Sequence, residues 1–203
     1  MQRRHLILAS AASAAVGLLA GCERAAGPNA APAFQGIDIT GAEYARTLNL
    51  PDADGRPRTL ADFKGRVVVV FFGYVQCPDV CPTTLAELAA VKKQLGPDGQ
   101  RIQGVFVTID PERDTAAVLK AYMASFDPDF VALRGSAEQL AAAAREFKIY
   151  YAKVPGRAEG SYTMDHTAGC YLIDAEGRVR VFTRYGSGPE TLAHDLKLLL
   201  TQA

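Results

Sequence analysis

The sequence predicts an α/β domain, a central mixed sheet flanked by helices, with a β-hairpin added ahead of it. Three observations carry this. Extended apolar runs alternate with helical patterns from Phe34 onward. Arg66-Val-Val-Val-Val-Phe-Phe72 is a continuous β-branched and aromatic run, the kind buried on both faces of a sheet. The tail reads strand, turn, strand, helix. With 203 residues and 49% hydrophobic content, the chain fills one core and leaves room for a targeting segment.

Taken in order, Tyr44 to Leu50 and Arg58 to Leu60 flank the turn dipeptide Asp54-Gly55 and predict the hairpin, followed by a helical turn over Leu60 to Phe63. Arg66 to Phe72 is the central strand. Pro82 to Leu95 places Leu85, Leu88, Ala89 and Val91 at helical spacing, and Gly96-Pro97 stops it. Ile102 to Ile109 is the next strand, and Asp114 or Thr115 caps a helix carrying Val118, Leu119, Tyr122 and Met123. Ser136 and Gln139 form a capping box ahead of Leu140 to Phe147. The strands His166 to Ile173 and Val179 to Thr183 flank a turn at Ala175-Glu-Gly177, and a helix runs from Pro189 to Leu200. This order is that of the thioredoxin fold, with an extra helix and the hairpin added.

The N-terminus reads as an address. Residues 1–21 combine Arg3 and Arg4, an apolar run from Leu6 to Ala20 and small residues near the end, the pattern of an export signal. That run is shorter than the ~20 residues a spanning helix needs. Leu19-Ala20-Gly21-Cys22 resembles the bacterial lipoprotein box, which implies that Cys22 is acylated. A plain cleaved signal or an uncleaved anchor is the competing reading. Residues 22–36 then form the lipidated cysteine and a flexible Ala, Gly and Pro spacer, and residues 37–203 the domain. The expected location is the periplasmic side of a bacterial membrane, by lipid anchor.

Lys plus Arg and Asp plus Glu both number 22, and no long basic run offers a phosphate-binding stripe, so nucleic acid is not an expected partner. The four cysteines divide into a close pair, Cys77 and Cys81, and the singles Cys22 and Cys170. The pair lies where the central strand gives way to a helix. Unpaired N–H groups at a helix start lower a thiol from its usual ~8.5 and favour thiolate, which is both the redox nucleophile and the metal ligand. The i, i+4 spacing lets both sulfurs close a disulfide or hold one ion, and Pro78 and Pro82 stiffen the loop. A plain structural disulfide of an exported protein is the alternative. Cys170, inside an apolar run, reads as an inert buried thiol.

His166 precedes an apolar strand at the point where thioredoxins carry the cis-proline that faces their cysteine pair. An imidazole there gives a set of two thiolates and one nitrogen, which by softness selects Cu(I), with zinc as competitor. A structural histidine is the other reading. Met164 is a weaker soft candidate.

Three blocks, taken together and in order, resemble the SCO/SenC family. They are Phe72-Gly-Tyr-Val-Gln-Cys-Pro-Asp-Val-Cys-Pro-Thr83, Val107-Thr-Ile-Asp-Pro-Glu-Arg-Asp-Thr115, and Asp165-His166 followed by Tyr171-Leu-Ile-Asp174. The resemblance implies a thioredoxin-like fold and copper binding through Cys77, Cys81 and His166, as Cu(I), with Cu(II) as a second state. It also implies an acidic position near the site at Asp110. Family members serve assembly of the binuclear copper site of cytochrome c oxidase, either delivering copper or, as thiol-disulfide oxidoreductases, keeping the acceptor cysteines reduced. The implied partners are the oxidase's copper-site subunit, other copper chaperones and thioredoxin-like reductants. Cys170 departs from the pattern.

Overall fold

The computed structural model describes residues 33–202. In chain order its strands are β1 (Ile37–Asp38), β2 (Asn49–Pro51), β3 (Pro57–Thr59), β4 (Val67–Gly73), β5 (Ile102–Thr108), β6 (Val131–Leu133), β7 (Tyr151–Pro155), β8 (Tyr162–His166), β9 (Gly169–Ile173) and β10 (Val179–Arg184). The helices are α1 (Val80–Gln94), α2 (Ala116–Ala124), α3 (Ala137–Glu146) and α4 (Pro189–Thr201), with 3-10 turns at Leu60–Phe63 and Gly96–Arg101. The signal segment, Cys22 and most of the spacer lie outside the described residues. Among the described residues no helix is long and apolar enough to cross a membrane.

The predicted central strand is central. Every residue of β4 is buried, because β4 pairs in parallel with β5 and antiparallel with β9 and the helices cover the faces. The main sheet runs β1-β10-β9-β4-β5-β6 and is mixed, parallel through β4, β5 and β6 and antiparallel elsewhere. α1 packs on α4, α4 on β4 and β10, and α2 on β6. The β2–β3 hairpin extends the β6 edge through a bridge from Asp52 to Leu133 and the bond from Arg134 N–H to Pro51 O, 2.9 Å.

The structure departs from expectation at four places. Tyr44 to Leu48 does not join the hairpin. Ala45 takes a left-handed backbone (φ 55°) and donates its N–H to Glu146 O at 2.8 Å, which draws that stretch to the end of α3 instead. The strand expected over His166 to Ile173 is two strands: β8 ends at His166 on its partner β7, and β9 begins at Gly169 on β4 and β10. β6, β7 and the edge strand β1 are additional. α1 starts at Val80, two residues before Pro82, so Cys81 falls in its first turn, where proline's missing N–H costs nothing. Of the two caps expected for α2, Thr115 is the one used, accepting from Val118 N–H at 3.3 Å. The α3 capping box forms as expected.

The chain entering the domain is pinned. Gln35 and Gly36 donate their N–H groups to the fully buried Asp195 carboxylate of α4 at 2.7 and 2.8 Å.

Candidate functional site

β4 ends on Gly73, and the loop that follows carries Cys77 before α1 begins with Cys81 in its first turn. Gly73 is required there: a Cβ on it would stand 2.8 Å from Cys81 Sγ and 2.9 Å from the Phe71 and Phe106 rings. The missing side chain is what admits the sulfur. Cys81 is fully buried and Cys77 half-buried, and both are free thiols. No side chain caps α1 at Asp79; instead Cys77 Sγ receives the Cys81 N–H at 3.4 Å, taking up a first-turn donor that would otherwise lack a partner.

Burial reverses one expectation from the sequence. Loss of solvent drives the Cys81 thiol far above its usual range, with the Cys77 sulfur and Asp114 adding to the push and a Tyr74 backbone contact opposing it. The helix end does not overcome this desolvation. Cys81 therefore rests as a neutral thiol, and a cation at the sulfur or a reaction partner is needed to draw off its proton.

His166 closes β8 against this corner, its Nε2 3.9 Å from Cys81 Sγ across 85 residues of sequence. Nδ1 lies 2.9 Å from Thr167 O. A carbonyl only accepts, so Nδ1 carries the proton and the Nε2 lone pair faces the sulfur. Burial holds the imidazole below its ordinary pKa, against opposing effects of the Thr167 carbonyl and Asp165, so it is neutral at pH 7. Phe71 and Tyr74 flank the ring edge-on, with centroids 6.2 and 6.1 Å away. An open groove of about 350 Å³ separates the cysteine loop from β8, and the buried Met164 also lines it. A larger hollow of about 820 Å³ around Thr40, Arg46 and Arg180 contains no cysteine or histidine and lies apart from this chemistry.

Of the residues singled out in the sequence, Cys77, Cys81 and His166 converge. They are not yet a closed cage: among the described residues no three His, Cys, Asp or Glu side chains gather tightly enough to hold an ion as they stand. Asp110 touches neither sulfur nor imidazole. It is buried, accepts from Tyr162 Oη at 2.9 Å and pairs with Arg113. Cys170 lies in β9, fully buried, its thiol pushed up to about 12 by desolvation and by Glu87.

Sequence reasoning missed two neighbours. Asp114 reads locally as a helix cap but is buried beneath the loop, accepting from Thr108 Oγ1 at 2.6 Å and Val75 N–H at 3.1 Å. Burial raises its carboxyl, against the Thr108 and Val75 hydrogen bonds. Arg113 bonds to Gln76, Tyr162 O and Asp110 and lies over the Tyr162 ring. Both lie in the block Val107 to Thr115 that carries the family resemblance, but nothing in the charged run Asp110-Pro-Glu-Arg-Asp114 shows that these two side chains reach inward.

This corner, with a histidine facing a buried cysteine from a separate strand, coincides with a family match: the model described as SCO1/SenC matches residues 38–201. The chain belongs to the SCO1/SenC family. Among similar proteins, the mitochondrial SCO2 homolog of Mus musculus is 40% identical over 140 residues, covering 68% of this chain and 54% of that protein. The chain spans about half the length of the mammalian SCO2 relatives it matches. Among solved structures, Bradyrhizobium japonicum ScoI with copper bound superposes with TM-score 0.69 at 40% identity, covering 77% of this chain and 99% of that one. A SCO1/SenC family lipoprotein from Bacillus anthracis gives TM-score 0.64 at 25% identity, over 82% and 99% of the respective chains.

Proposed function

We propose that this domain is a copper metallochaperone of cytochrome c oxidase assembly. Its cargo is one Cu(I), held by Cys77, Cys81 and His166 and passed to the copper-site subunit of the oxidase from the periplasmic face of a membrane, where Cys22 is its lipid anchor. The carrying observation is the 3.9 Å between Cys81 Sγ and a neutral His166 Nε2. With bonds of ~2.3 Å to sulfur and ~2.0 Å to nitrogen and trigonal angles, two ligands of one ion stand about 3.7 Å apart. The pair already has the separation that a shared ion requires. Soft thiolates favour Cu(I) over harder cations, and the copper-bound relative supports that cargo.

Each residue has a distinct part. Cys81 is shielded from water, so its proton leaves only as the ion arrives. His166 offers a lone pair already oriented by Thr167. Cys77, half-buried on the loop, is the ligand through which cargo enters and leaves, by turning its sulfur from the Cys81 N–H toward the ion. The match to a lipoprotein relative supports an exported, membrane-associated setting.

The same unequal burial favours a second reading, thiol-disulfide exchange. Cys77 thiolate attacks a partner disulfide, forming a mixed disulfide and releasing one partner thiolate. Cys81 then attacks Cys77 Sγ and releases the second. The pair loses two electrons and the partner gains them. That route needs no imidazole ligand.

Anaerobic Cu(I) titration against a competing chelator separates the two. One equivalent is expected to bind wild type, with binding lost in Cys77→Ser and Cys81→Ser and weakened at least ~10-fold in His166→Ala. Equal affinity in His166→Ala would overturn the three-ligand site.

A further inference from the structure

The turn at residues 110–114 touches both halves of the site, and the geometry points to Arg113 as the positioning residue that sets the separation between the cysteine loop and the histidine strand. As a statement about copper uptake, this rests on the function proposed above. As a statement about the spacing of Cys81 and His166, it stands alone.

Arg113 Nη1 donates to Gln76 Oε1 at 3.0 Å, on the residue preceding Cys77, and to Tyr162 O at 2.9 Å, at the start of the strand that ends in His166. Its Nε pairs with the buried Asp110, which also accepts from Tyr162 Oη. The guanidinium lies 3.7 Å from the Tyr162 ring centroid and 5.8 Å from that of Tyr74. The next residue, Asp114, holds the Val75 N–H of the same loop. One side chain thus bonds the cysteine loop and β8 at once.

This link matters because of how β8 is attached. Its strand partner is β7, in a two-stranded sheet separate from the main one, and β8 joins the main sheet only past its His166 end, through Thr167 and Ala168 to β9 on β4. At the Tyr162 end no ladder reaches the β4–α1 corner, and side chains make the link. A guanidinium presents several donors in a rigid plane and can stack while it donates; an ammonium is a compact point charge and cannot hold all these contacts together.

Arg113→Lys keeps the charge and removes the fork. In the metal-free protein, the nuclear Overhauser contact between Cys81 Hβ and His166 Hε1 is expected in wild type and weakened in the variant. With Cu(I) and a competing chelator, affinity is expected to fall ~10–100-fold, the effect typical of a lost outer-shell partner. The Cu(II)–thiolate absorption is expected to shift, with the melting temperature of the metal-free domain nearly unchanged. Wild-type contact, affinity and spectrum in the variant would overturn the assignment. So would a fall in melting temperature with unaltered affinity below the transition. Should Arg113→Lys fail to fold, Gln76→Ala removes only the exposed bond from Arg113 to the loop. A several-fold loss of Cu(I) affinity is then expected, and no loss overturns the inference. If wild type takes up no Cu(I), the proposed function fails, while the metal-free contact still decides the role of Arg113.

Discussion

Cys81 and His166 meet from scaffolds of opposite kinds. Cys81 stands in the first turn of α1 behind β4, a strand buried at every residue and flanked by two partners in a six-stranded sheet. His166 ends β8, which pairs with β7, a strand exposed at three of its five positions. The cysteine half is part of the core, and the histidine half is an arm laid against it. This corner keeps Cys81 fixed and out of water, while His166 stands where β8 leaves its separate two-stranded sheet for β9. Under the function proposed above, that division suits cargo that must be held and then surrendered.

If the comparison holds, substitutions near Cys81 cost stability and those on the arm cost little. The largest effect is expected for Phe71→Ala, which removes a buried ring packed against Phe106 and His166. Urea unfolding should show a loss of ~3–5 kcal/mol, and a loss below ~1 kcal/mol would break the claim that this half is core. Gly73→Ala comes next. Its Cβ collides with Cys81 Sγ and two rings, so ~1–3 kcal/mol is expected together with weakened Cu(I) uptake.

A smaller, pH-dependent effect belongs to Asp174, at the β9–β10 turn on the core side. Burial pushes its carboxyl up, but hydrogen bonds from Arg178 N–H and from the Arg180 and Arg178 guanidiniums more than offset this, and the net shift is downward. A depressed folded pKa contributes stability above the unfolded value of ~3.9 that is lost as pH falls through the folded one. Asp174→Asn is therefore expected to be less stable than wild type at neutral pH, with the gap narrowing below about pH 4; a gap that stays constant in acid would remove this contribution. The smallest effect is expected for Val154→Thr on the arm, an exposed position, within about 0.5 kcal/mol by the same unfolding assay.

The difference between the halves also explains what could be read from the sequence. The core half declares itself, because Val67 to Phe72 has the unbroken apolar run of a doubly covered strand and the cysteines sit at its end. The α3 capping box and the Gly177 turn are equally local signals. The arm has no such signature. β7 is Tyr-Ala-Lys-Val-Pro, mostly solvent-facing and ending on proline, and its register with β8 follows from pairing and not from periodicity. β6 has only three residues, too few for a pattern. Asp114 and Arg113 were hidden for another reason: in a charged run, a residue that reaches inward looks like its solvated neighbours. The Cys81 thiol shows the same limit, since the helix end is visible in sequence and the depth of burial is not.

The central claim is that two sulfurs from the core corner and one nitrogen from the arm hold a single ion. X-ray absorption of the Cu(I)-loaded domain, compared with His166→Ala, tests it most directly. The account predicts two sulfur ligands and one nitrogen in wild type, with the nitrogen lost and both sulfurs kept in the variant. A wild-type spectrum of two sulfurs alone, unchanged by the substitution, would contradict it.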